Sequence, residues 1–474
     1  MKPTLHEYQK RAISFALAHK VSYNACDLGM GKSAIAIGWS KAILPEVNGV
    51  LIVAPIKTIG TSWPEQLELW GPELSFSILH GPNKDVLLRT KKDIYLINYE
   101  GLGWLLKQLK IIFKKTGKLP FRAIVLDEGA KAKSHATKRF KILEILADVA
   151  PKYKLILSGT PSPNSLLDLW AQYYFLDKGK RLYNNITAYR SQYFTQYEIK
   201  QKKMKTGEVK TTTKKLFGYA IKPFCDTVIH EKVGDITFRL DGDDYIKLPP
   251  KIINEIKIKL PPALMTQYNT LEEKFFIELE GSEIEAMSAP ALAMKLRQFI
   301  QGGLYTDGPK VKVNGERPYA VIHKEKLSVL EDIVDNANGQ GILCAIQFRF
   351  ELDMIRKAFP DAPCIAGKVS NTECTRLINL WNQGKIPLML CHPGSLAEGV
   401  NLQTGGHIVI WYALTWSLYQ YLQFTARLHR QGQQNAVIVH HLIMSGTMDE
   451  AIMLALKNKF KGMRELLQYL KNLR

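Results

Sequence analysis

Short apolar runs, each closed by a polar or glycine-rich turn, recur along the first third of the chain: GVLIVAP (49–55), DIYLINYE (93–100), AIVLDEG (123–129) and KLILSGTP (154–161). Runs of this kind read as strands buried in a parallel sheet. Between them, SAIAIGWSKAIL (33–44) and SWPEQLELW (62–70) space their apolar positions at helical intervals. Strand-helix alternation predicts an α/β lobe with helices on both faces of the sheet and ligands beyond the carboxyl ends of the strands. The pattern breaks after Leu169, where the chain turns rich in Tyr and Lys and ends in IKQKKMKTGEVKTTTKK. The lysine run near 199–215 reads as a loop or hairpin tip, either simply solvated or touching nucleic acid. Alternation returns in GILCAIQF (341–348), PLMLCHPG (387–394), HIVIWYA (407–413) and NAVIVHHLI (435–443). The expected organisation is an N-terminal lobe over 1–245, a linker and helical insertion over 246–320, and a C-terminal lobe over 321–474.

Composition narrows the class. No apolar run is long enough to span a bilayer, and the N-terminal MKPTLHEYQKRAISFALAHK lacks the apolar core of a secretory signal. Six scattered cysteines form no C-x-x-C pair, which argues against a zinc ribbon or a disulfide framework. A reducing cytoplasm is expected, with no membrane partner. Lys plus Arg is 64 against 44 for Asp plus Glu, a net charge of +20 that points to a polyanion, nucleic acid above all.

Three clusters carry candidate chemistry. In CDLGMGKSAIAIGW (26–39), Gly29 and Gly31 let backbone N–H groups approach phosphate oxygens. Lys32 adds charge near the outer phosphates, Ser33 is a magnesium ligand candidate, and a helix opens behind them. Cys26 stands where the pattern G-x-x-x-x-G-K-S/T has its first glycine, so a plain strand-to-helix turn is the competing interpretation. Asp127 and Glu128 end an apolar strand, where one acid can hold magnesium and the other can orient and deprotonate a water. In QFTARLHRQGQ (423–433), Arg427 and Arg430 share a helix face and could reach a phosphate held on the other lobe, or they could form a basic surface face.

Taken in chain order, these stretches resemble the motifs of superfamily-two helicase-type ATPases, and within them the Swi/Snf-like double-stranded DNA translocases. LHEYQ (5–9) resembles the adenine-reading glutamine motif, DLGMGKS (27–33) motif I, and LIVAPIKTIGTSWPEQLELW (51–70) motif Ia with its tryptophan. INYEGL (97–102) resembles motif Ib, VLDEGAKAKS (125–134) motif II and LSGTPSPN (157–164) motif III. LLDLWAQYYFLD (166–177), KLPPKIINEIKIKLPPALMTQY (247–268) and AMKLRQFIQGG (293–303) extend the likeness between the lobes. ILCAIQFRFELDMI (342–355) resembles motif IV, and 392–433 resembles motifs V and VI joined. In this family the glycine missing at Cys26 is not required.

The resemblance implies two RecA-like lobes, each a parallel sheet flanked by helices, with ATP and Mg2+ between them. It implies nucleotide contacts from Gln9, Leu28, Gly29, Met30, Gly31, Lys32, Ser33 and Gly399, and magnesium held by Ser33 and Asp127. Glu128, Arg427 and Arg430 join Lys32 and Asp127 as catalytic candidates. Pro55, Lys57, Thr58, Ser158, Gly159, Thr160, Ser395 and Asn401 are expected to lie near DNA or to couple to it. Trp416 could pack against the DNA backbone or a base, but a place in the core or at the lobe interface is the favoured expectation. The partner expected is double-stranded DNA, with forked or single-stranded DNA as variants, and the motor is expected to be a monomer of bacterial or phage type without an accessory domain. Motif II departs from the family at Ala130, where a histidine usually stands and helps link the nucleotide site to motif III. The segment before the interlobe signature, CDTVIHEKVGDI (225–236), is a weak match to the family's paired arginines. Three functions follow: a duplex translocase, a strand-separating or branch-migrating helicase, and a nucleic-acid binder with weakened ATPase.

Overall fold

The computed structural model describes residues 3–149, 152–199, 216–245, 247–280, 289–306, 317–367, 369–396 and 400–472. The tip of the lysine-rich run, 200–215, and Gly399 lie outside the described residues.

The first lobe is built on β1 (Val21–Cys26), β2 (Val50–Ala54), β3 (Phe76–Ile78), β4 (Ile94–Asn98), β5 (Ala123–Asp127) and β6 (Tyr153–Leu157). An antiparallel pair, β7 (Phe194–Ile199) and β8 (Leu216–Ile221), stands apart, and β9 (Thr237–Leu240) returns to the sheet. All pairings in this seven-stranded sheet are parallel, in the order β3-β4-β2-β5-β6-β1-β9. Every residue of β2, β4 and β6 is buried, as continuous apolar runs require when both faces are covered. Successive side chains point to opposite faces. Ile52, Val125 and Leu155 meet Trp39 and Trp63 from helices Lys32–Ile43 and Ser62–Trp70. Leu51, Val53 and Ile124 meet Leu105, Leu143 and Trp170 from helices Leu102–Thr116, Lys138–Val149 and Leu167–Asp177.

The second lobe contains β10 (Lys251–Ile258), a two-stranded ribbon of β11 (Gly303–Tyr305) and β12 (Tyr319–Val321), then β13 (Ile342–Ala345), β14 (Cys364–Ile365), β15 (Leu388–Cys391), β16 (Ile408–Trp411) and β17 (Val437–Met444). Its main sheet is also wholly parallel, in the order β10-β17-β16-β13-β15-β14. Two wholly parallel sheets with flanking helices are the architecture expected from the alternation.

The stretch expected to link the lobes contributes β10, an edge strand in register with all of β17 from Lys251–Val437 to Ile258–Met444. Its solvent-facing side hides it from hydropathy: Ile252 and Ile253 are about half exposed. Helix Met448–Asn472 leaves β17 and crosses to the first lobe, where Ile452, Leu456 and Met463 share one apolar cluster with Ile229 and Val233. At its start, Asp449 pairs with Lys326 at 2.6 Å with both side chains fully buried. Lys326 also donates to Gln301 Oε1 and to the Tyr412 carbonyl. Among the described residues no helix is long and apolar enough to cross a membrane.

Candidate active site

The loop between β1 and helix Lys32–Ile43 turns on two glycines with positive φ, Gly29 at 86° and Gly31 at 69°. At Gly31 a side chain is excluded by space as well: a Cβ there would lie 2.3 Å from Nε2 of Gln9. Gln9 is buried and braces the loop from below, donating to the Met30 carbonyl at 3.4 Å and accepting from the His6 amide at 2.9 Å. Lys32 stands at the mouth, its ammonium 3.3 Å from the carbonyls of both Cys26 and Asp27. Asp27 is tied to the sheet edge: Arg239 of β9 pairs with it at 2.8 Å, and the Gly242 amide donates to it at 2.8 Å. Burial pushes the Asp27 carboxyl up, but Arg239 and the hydrogen bonds outweigh it, and the net shift is downward.

The acids sit where β5 ends. Glu128 adopts φ 53° and ψ 55°, a left-handed conformation that a non-glycine residue holds only when its surroundings impose it. Tyr99, from the end of β4, supplies that constraint by donating its hydroxyl to the Asp127 carbonyl at 2.7 Å. Trp63 donates its indole N–H to the Asp127 carboxylate at 2.9 Å. Ala130 is buried in the turn that follows.

The second lobe closes the site. Gln423 of helix Leu418–Thr425 donates to Glu128 Oε1 at 3.2 Å across the cleft and accepts from Arg427. Arg427 and Arg430 both donate to the Val400 carbonyl, at 3.3 and 3.2 Å. Burial, with the neighbouring Arg427 charge, pulls Arg430 down to about 10. Two guanidiniums crowded on one carbonyl favour an anion in front of them. A Cβ on Gly29 would lie 3.7 Å from that of Arg430, so the glycine loop and the arginine segment face each other at contact distance. Lys57 reaches over to the Ser395 carbonyl as a further bond between lobes.

One cavity of about 200 Å3 brings the expected nucleotide residues together: Leu28, Gly29, Gly31, Lys32, Ser33, Asp127, Glu128, Arg427 and Arg430. Met30 is buried behind the loop, and neither it nor Gln9 lines the cavity. Of the residues expected near DNA, Thr58 and Asn401 line this same cavity. Ser158 and Thr160 are buried, and Gly159 packs against Cys26 and Leu28 of the glycine loop. Pro55 is buried at the start of helix Ile56–Ile59. Trp416 is not in the core: it is 40% exposed, and its carbonyl accepts from Lys459 of the crossing helix. Its flanks, Thr415 and Ser417, spend their polar groups on the turn that opens helix Leu418–Thr425 rather than on core packing.

Sequence reading missed Arg239, Tyr99 and Gln423 as site residues and took Trp63 only as a landmark. Gln423 had a signal, since it stands four residues before Arg427, but helix Leu418–Thr425 ends before that arginine, and Arg427 and Arg430 lie in the turn beyond it rather than on the shared helix face expected of them. Tyr99 and Arg239 had none, because both act only once distant strands lie side by side.

Residues 8–302 match the SNF2-related domain and residues 325–432 match the helicase conserved C-terminal domain. Over 482 residues the chain is 30% identical to protein p41 of Acyrthosiphon pisum secondary endosymbiont phage 1, covering 98% of both chains. It is 24% identical to YwqA of Bacillus subtilis, whose name contains ATP-dependent helicase/translocase, and covers 97% of this chain but 48% of that one. It is also 24% identical to the DNA annealing helicase and endonuclease ZRANB3 of Homo sapiens, covering 95% of this chain and 39% of that one. The chain therefore spans less than half the length of these two relatives. A solved structure, the Sulfolobus solfataricus SWI2/SNF2 ATPase core in complex with dsDNA, aligns at 22% identity over 98% of this chain and 93% of its own, with a TM-score of 0.44.

Proposed function

Because the chain belongs to the SNF2-related family of helicase-like ATPases, we propose that it is a DNA-stimulated ATP hydrolase that moves along double-stranded DNA and remodels DNA or protein-DNA complexes. The observation that carries this reading is a cavity lined from both lobes, with Lys32, Ser33, Asp127 and Glu128 on one wall and Arg427 and Arg430 on the other.

In this reading the glycine-loop amides and Lys32 hold the phosphates of ATP. The Ser33 hydroxyl and the Asp127 carboxylate are oxygen donors of the kind magnesium prefers, both face the cavity, and a bound ion would neutralise phosphate charge there. Glu128 orients a water and accepts its proton as the water oxygen bonds to the γ phosphorus. The bond from that phosphorus to the β-γ bridging oxygen breaks, and ADP and phosphate leave. Arg427 and Arg430 neutralise charge on the transferring group. Because both come from the second lobe, binding favours closure and product release favours opening, which gives a stepping cycle. Duplex DNA is held chiefly through its phosphates, consistent with the net charge of +20. Lys57 and Ser395, which join the lobes, are the contacts this reading offers to such a track.

Phosphate release measured with duplex, single-stranded and forked DNA and with RNA tests the proposal. Duplex stimulation without strand separation supports the translocase. Unwinding or fork regression moves the assignment to a helicase or fork remodeller, and nucleic-acid binding with no phosphate release contradicts the ATPase reading.

A further inference from the structure

Three neighbouring strands of the first sheet, β5, β6 and β1, end side by side, with β6 in the middle. Their loops carry the acids, the segment 158–164 and the glycine loop. One side chain bonds to β1 itself and to the segment beyond β6, and lies beside the acid-bearing turn. Gln172, fully buried in helix Leu167–Asp177, accepts the Tyr23 hydroxyl of β1 on Oε1 at 2.7 Å. Its Nε2 donates to the Pro161 carbonyl beyond β6 at 2.8 Å and to the Asp168 carbonyl of its own helix at 2.7 Å. Oε1 also lies 3.6 Å from where a Cβ would stand on Gly129, next to Glu128. Ala130, the next residue, has no side-chain group able to make a hydrogen bond. The Tyr23 ring stacks on Tyr173 with centroids 5.3 Å apart, which fixes its hydroxyl. Burial pushes that hydroxyl well above its ordinary range, so it stays a donor at working pH.

The same loop meets the second lobe on its other side. Ser162, Asn164 and Leu166 line a cleft of about 200 Å3 with Asn458, Lys459 and Met463 of the crossing helix. Lys133, five residues beyond Glu128, pairs with Asp168 at 3.5 Å and ties the acid-bearing segment to the base of the Gln172 helix. A fully buried amide with both ends committed transmits displacement, since its bonds are directional and costly to leave unmade in a low dielectric.

We propose that Gln172 is the positioning residue that couples the interlobe side of the 158–166 loop to the turn bearing Glu128, so that engagement of duplex DNA sets the catalytic carboxylate. The proposal rests on the DNA-stimulated reading above. It assigns the coupling to a Gln172–Tyr23 pair rather than to the residue after Gly129.

The test is basal and duplex-stimulated phosphate release for the full chain, Gln172→Leu, Tyr23→Phe and the double variant, with duplex affinity and Tm measured in parallel. Gln172→Leu should keep basal turnover and duplex affinity within about twofold while stimulation falls about tenfold. Tyr23→Phe, which removes one atom and keeps the ring, should shift stimulation the same way even if the leucine variant folds poorly. The double variant should lose no more than the worse single one, because both cut one link. Full stimulation in Gln172→Leu or Tyr23→Phe, or losses that multiply in the double variant, overturns the inference alone. A wild-type chain that duplex DNA does not stimulate overturns the parent reading and the inference with it.

Discussion

Trp63 holds the Asp127 carboxylate through its indole N–H, so Trp63→Phe removes one charge-assisted bond and keeps a ring in the core. Turnover should fall about tenfold, the size of one such bond, and steady-state phosphate release checks it. Lys32→Ala should abolish turnover and leave duplex affinity nearly unchanged, because Lys32 faces the cavity proposed to hold the phosphates of ATP. Equal turnover in that variant would remove the phosphate assignment. At this scale the sequence was most legible where chemistry is contiguous. Gly29 to Ser33 and Asp127–Glu128 declare themselves because each set is contiguous in sequence, the first as a glycine turn opening a helix and the second directly behind an apolar strand. Arg239, which pairs with Asp27, stands more than two hundred positions away, and nothing in TFRL marks it as a partner of the glycine loop.

Among elements, the legible strands were those buried on both faces. β1 escaped notice because it carries Ser22 and Asn24 in the interior, each 1% exposed, and polar residues interrupt its apolar run. β10 escaped because most of it faces solvent. The crossing helix Met448–Asn472 is anchored by the Lys326–Asp449 pair, and its energetics are checkable. Removing one partner of a fully buried pair leaves an uncompensated charge, at a cost of about 3–5 kcal/mol. Lys326→Met should therefore lower the urea midpoint sharply, and Lys326→Met with Asp449→Leu should recover most of the loss. A single variant as stable as the parent would show that the pair does not anchor the helix.

For the whole molecule, two lobes face each other across charges of both signs, and a net +20 is spread over the chain. If DNA is held through six to ten phosphates, raising salt from about 50 to 200 mM should weaken duplex affinity roughly 10³–10⁵-fold. A fluorescence anisotropy titration reads this directly, and a flat response would exclude a phosphate-dominated track. The two-lobe plan was legible from alternation alone, but the closeness of Gly29 to Arg430 and the Gln423–Glu128 bond were not, since hydropathy says nothing about how two finished sheets meet.

The central claim is that hydrolysis requires groups from both lobes. Single-turnover ATP cleavage by Arg430→Ala, with ATP affinity measured on the same preparation, tests it most directly. The chemical step should slow about 10³-fold while affinity changes only a few-fold, since an arginine that meets the transferring phosphate acts on the transition state. A normal cleavage rate, or a loss confined to ATP binding, would contradict the account.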